Sequence, residues 1–104
     1  MLFLTYWELN ENMPEAERLQ VAEKLMSSGL FPPTGVNIIR FDGTPDAWGI
    51  ILLEADTAAD AFRAVDVWRA AGAGFFKLTK TAPAMPIQDL IPVAAEIQKA
   101  LGSA

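Results

Sequence analysis

The run Trp48-Gly-Ile-Ile-Leu-Leu-Glu-Ala55 constrains this chain more than any other stretch. An Asp-Gly-Thr-Pro turn at residues 42–45 precedes it, and Thr57 with Asp60 follows as a helix-capping box. Confined between a turn and a helix start, the run reads as a strand over about residues 47–55. Its near-continuous hydrophobicity suits the centre of a sheet.

The other elements follow from local signals. Residues 2–9 read as a strand rich in β-formers. Asn12 with Glu15, and Pro14 in the first turn, open an amphipathic helix that ends at Gly29, with Leu19, Ala22, Leu25 and Met26 on one face. Residues 35–42 form a second strand. The helix after Thr57 carries Ala58, Ala61, Phe62, Val65 and Trp68 as its stripe and ends at Gly72 and Gly74, so Ala71–Gly74 is a cap and not a dinucleotide loop. Residues 75–82 form a fourth strand. Asp89 caps a last helix with Pro92 in its first turn and Leu90, Val93, Ala94, Ile97 and Leu101 on one face. The order is β-α-β-β-α-β plus a helix. It predicts one α+β domain over residues 1–104, ferredoxin-like, with an antiparallel four-stranded sheet whose first and third strands are central.

In that fold both main helices cover one sheet face. Alternation places Leu2, Leu4, Tyr6, Phe76 and Leu78 under the helices, and Phe3, Thr5, Trp7, Phe75, Lys77, Thr79 and Thr81 on the open face. A hairpin loop over residues 43–46 adds Asn37, Ile39, Phe41, Trp48, Ile50, Leu52 and Glu54 to that open face. Four strands about five residues long cover roughly 300 Å². That matches the largest apolar patch of a typical monomer. With 52% hydrophobic and 20% charged residues, the chain predicts burial of this face against a second copy, sheet on sheet. The alternative is a monomer whose last helix folds over it.

Composition excludes several chemistries. There is no Cys and no His, which removes thiolate nucleophiles, imidazole ligands and His-based triads. Net charge is −5 with the eight Lys and Arg scattered, so no basic stripe meets nucleic acid. Asp42 and Asp46 flank a turn and do not form a Ca²⁺ loop, and no metal or cofactor is expected. The apolar start lacks a basic n-region and reaches Glu8 early, predicting neither signal peptide nor membrane span, and a cytoplasmic location.

Glu54 and Lys77 are the candidate proton-handling or anion-holding groups. Thr5, Trp7, Asn37, Trp48 and Thr79 are candidate ligand-binding residues around an apolar cavity on the open face. Trp68 is expected in the core.

The segments MLFLTYWEL, GIILLEAD and KTAPAMPIQDLI resemble a family of small bacterial domains of unknown function. That family is similar to the dimeric α+β-barrel class, which includes the antibiotic-biosynthesis monooxygenases. The resemblance implies the ferredoxin-like fold and a homodimer, while the class spans oxygenases, isomerases and non-catalytic members. The reading that results is a non-catalytic homodimeric binding or structural module with a pocket for a small apolar ligand. A cofactor-independent monooxygenase or isomerase is the alternative, and a subunit docking onto a protein partner is a third.

Overall fold

The computed structural model describes residues 1–102; Ser103 and Ala104 lie outside the described residues. Its elements are β1 (Leu2–Leu9), α1 (Glu15–Ser28), β2 (Val36–Gly43), β3 (Trp48–Ala55), α2 (Ala58–Ala71), β4 (Phe76–Pro83) and α3 (Ile87–Gly102). The sheet is antiparallel in the order β2-β3-β1-β4, which is the ferredoxin-like arrangement with β1 and β3 central.

Several caps form as the sequence suggests. Thr57 Oγ1 accepts from the Asp60 N–H at 3.1 Å, and Gly29 closes α1 in the left-handed conformation at φ 74°. The start of α1 differs. Pro14 occupies the cap position, so Asn12 and Glu15 form no box. Asn12 instead donates its N–H to Asn10 Oδ1 at 3.0 Å, and Arg18 reaches back to the carbonyls of Asn10 and Met13. α3 begins before Asp89, which places Pro92 inside the helix beyond its first turn. The helix faces also rotate. Leu19 and Met26 are exposed while Leu25 is buried, and Ala64 replaces Phe62 in the stripe of α2.

The assignment of sheet faces is half right. Trp48, Ile50, Leu52, Glu54 and Asn37 lie on the open face as expected, because Gly49, Ile51, Leu53 and Ala55 are the buried set of β3. β1 is reversed: Phe3, Thr5 and Trp7 are buried under the helices, and Leu2, Leu4 and Tyr6 face outward. Both parities of β1 are apolar, so alternation could not choose between them. The partner that fixes it is Gly49. A Cβ there would fall 2.4 Å from Cζ2 of Trp7 and 2.1 Å from the Asp42 carbonyl oxygen, so the indole lies where a side chain would be.

Two register shifts complete the correction. One between Ile38 and Arg40 turns Phe41 to the helix side, with Gly43 opposite Gly49. Another on β4, at the step from Glu8 to Leu9, leaves Phe76 inward. It puts Thr79 and Thr81 on the helix side opposite Trp7 and Thr5, and turns Leu78 outward. Phe75 is also buried, against Trp68 at 5.2 Å between ring centroids.

The core beneath α2 has two unlike ends. Trp7, Phe31, Phe41, Trp68, Phe75 and Phe76 interlock with centroids 5.0–6.4 Å apart. Trp68 therefore lies in the core as expected. At the other end, α2 presents the buried alanines Ala61 and Ala64 to the sheet. α3 joins neither end. All its described residues are exposed, and it covers neither face of its own sheet.

Candidate functional site

Because α2 carries small residues in its first half, the helix and the β1–β4 side of the sheet do not close on each other there. The result is a cavity of about 400 Å³. Phe3 of β1, Ala61, Phe62 and Val65 of α2, and Pro83 of β4 make its walls predominantly apolar. Thr79 and Thr81 of β4 and Asp66 and Arg69 of α2 supply its polar groups. This makeup, apolar walls with a few convergent polar groups, is that of small-molecule sites. A groove of about 460 Å³ lies on the other side of Phe62, toward Leu30 and Pro33. It is bordered by α2 and the loop after Gly29 and does not reach the sheet.

Arg69 is the best-positioned of the polar groups. Its Nη2 donates to Thr79 Oγ1 at 2.6 Å, and its guanidinium carbon stands 6.0 Å from the Phe76 ring centroid. Among the described residues no carboxylate lies within ion-pairing distance of it. Thr81 is fixed in turn by Thr5: their hydroxyls are 2.8 Å apart, and Thr5 is fully buried. A chain of hydroxyls and one guanidinium, with the Asp66 carboxylate nearby, thus borders an apolar space, and Arg69 has donors left over for an anionic or carbonyl group.

The residues singled out from sequence divide between two faces. Thr79 lines the cavity, Thr5 supports it through Thr81, and Trp7 sits in the aromatic cluster. Asn37 and Glu54 border a shallow depression at the Leu2 end of the open face, while Trp48 lies toward the Glu8 end and stacks obliquely on Tyr6 at 6.0 Å. Lys77 stands near the other end, its Nζ 3.9 Å from Glu8. By register Glu54 pairs with Leu2, six residues from Glu8, which separates the two candidate groups by roughly 20 Å. They do not form one site. Tyr6 donates to Glu8 at 2.7 Å, and the hydrogen bond to that carboxylate holds its phenol above the usual tyrosine range. Arg69 and Phe62 were not anticipated; Arg69 follows Trp68 directly and lies four residues after Val65, the position of a cation edging the buried stripe.

Comparison with family models matches residues 1–98 to the domain of unknown function DUF3303. The chain belongs to the DUF3303 family. Neither the curated proteins nor the solved structures give a match. Among the described residues, no helix is long and apolar enough to cross a membrane, and no group of three or more acidic side chains could hold a metal ion.

Proposed function

We propose that this DUF3303 domain is a homodimeric binding module. In this reading the α2–β4 cavity takes a small molecule with an apolar body and an anionic group. The observation that carries the reading is Arg69. It is held by Thr79 and Phe76 at the border of an apolar cavity, with no carboxylate paired to it among the described residues. A ligand carboxylate there gains charge-assisted hydrogen bonds, worth about 1.5–3 kcal/mol when well made. The binding reading is preferred to turnover because the cavity does not bring Glu54 and Lys77 together.

The dimer reading rests on the open face. Leu2, Leu4, Tyr6, Trp48, Ile50, Leu52 and Leu78 share it, with Leu4 and Trp48 each 41% exposed. An apolar strip of that kind, bounded at its ends by Glu54 and Glu8, marks an interaction surface. A homodimer is also what the likeness to dimeric α+β barrels implies.

The ligand reading is tested by calorimetric titration with octanoate and with octanol. Octanoate should bind one site per chain, and Arg69→Ala should weaken it by about tenfold or more while leaving octanol unchanged. Equal loss for both probes, or no binding of octanoate, overturns the reading. Sedimentation equilibrium at micromolar concentration should return a dimer mass for the unsubstituted chain; a monomer mass overturns the dimer.

A further inference from the structure

Helix α3 carries the most sharply divided surface of the molecule. Ile87, Leu90, Val93, Ala94, Ile97 and Leu101 share one side, while Gln88, Asp89, Glu96 and Lys99 occupy the other. None of the apolar set is buried: Ile87 is 65% exposed, Ile97 55% and Leu101 67%. A helix with such a stripe draws most of its stability from burying it.

Its own domain does not provide the cover. The Ala84 N–H donates to the Leu2 carbonyl at 2.9 Å, and the helix is already hydrogen-bonded at the Pro86 carbonyl by Asp89 and Leu90. Only Met85 lies between these anchors, so few backbone torsions are left to set the direction of α3. That direction is outward. The molecule measures 57 × 29 × 18 Å, and a 16-residue helix adds roughly 24 Å of length. α3 is an arm.

From these features we propose that α3 of one copy lies along the open sheet face of a second copy, and reciprocally. The proposal rests on the homodimer reading above and specifies which element of the partner covers that face. Three observations favour it. The strip to be covered runs from Leu2 to Trp48, opposite Glu8, or roughly 20 Å, comparable with the roughly 24 Å of the arm. Its apolar width is mainly that of the two central strands, roughly 10 Å, which is a helix diameter. On one side β2 turns polar, with Asn37, Arg40 and Asp42. Finally, exchange buries both unpartnered apolar surfaces at once, whereas sheet-on-sheet packing leaves the stripe of α3 in water. Two arms on two strips cover on the order of 800 Å² of projected surface counting both sides, and accessible area exceeds projected area, which brings the contact to the size range of specific interfaces.

The chain has no cysteine, so introduced thiols report without background. Full-length Ala94→Cys, at the middle of the arm, is mixed with full-length Leu52→Cys, at the middle of the strip, and oxidised. The mixture should give the mixed disulfide dimer several-fold above either self-linked product. Efficient linkage of Leu52→Cys to itself with little mixed product shows sheets meeting face to face, which overturns the arm and keeps the homodimer. In parallel, Ile97→Glu should raise the dimer dissociation constant about tenfold or more with the thermal unfolding of the sheet domain retained. An unchanged constant also overturns the arm. A monomer mass for the unsubstituted chain overturns both readings.

Discussion

Under one helix, α2, the same sheet is closed at one end and hollow at the other. At the closed end Trp68 meets Phe31, Phe41, Phe75 and Phe76, and Trp7 reaches across Gly49 to complete the cluster. Toward the hollow end, Ala61 and Ala64 take the equivalent inward positions, and Thr79 and Thr81 replace aromatic rings on β4. Backbone geometry is shared, so side-chain volume alone separates a rigid core from a cavity. The closed end fixes the distance between helix and sheet, and the hollow end inherits that distance without the atoms to fill it. A cavity of this origin is preformed, because collapsing it would require the aromatic cluster to repack.

This contrast can be broken from either side. Trp68→Ala removes the centre of the closed end and should cost about 3–5 kcal/mol in urea unfolding. That is a large share of the whole stability of a domain of this size, normally about 5–15 kcal/mol. A loss under about 1 kcal/mol would show that the cluster is not what holds α2 in place. Gly49→Ala attacks the same end through the backbone, since its Cβ would overlap both Trp7 and the Asp42 carbonyl. The expected cost is about 1–3 kcal/mol, with a changed near-ultraviolet dichroism from Trp7. An unshifted midpoint would place the Trp7 ring elsewhere. The smallest effect belongs to the hollow end. Ala58→Leu adds atoms at an exposed wall of the cavity and should change stability by less than about 1 kcal/mol, while abolishing octanoate binding. If it destabilises as strongly as Gly49→Ala, the two ends do not differ as described.

The element order was legible in the sequence because its signals are local. Thr57 with Asp60, the left-handed Gly29, and the turn before Trp48 each act within a few residues. Face assignment was not legible for β1 or β4. β1 is apolar on both parities, and the shifts at Ile38/Arg40 and at Glu8/Leu9 leave no mark in composition. Of the candidate site, Thr79 was found, although for the wrong face, and Thr5 emerged as its support through Thr81. Arg69 was missed because nothing along the chain says that a surface cation will border an internal space. That fact arises only when Ala61, on the inward side of α2, fails to fill what Trp68 props open.

The short link from β4 to α3 acts as a phase setting. Each residue of helix turns the chain by about 100°, so adding or removing one residue between Ala84 and Pro86 would swing the stripe of Leu90, Ala94, Ile97 and Leu101 just over a quarter-turn away from its present bearing. Side chains in that link can change freely as long as Ala84 keeps its hydrogen bond. Its length cannot. A three-residue connector is in this sense a gear tooth: its chemistry is replaceable, and its count is what the rest of the arm depends on.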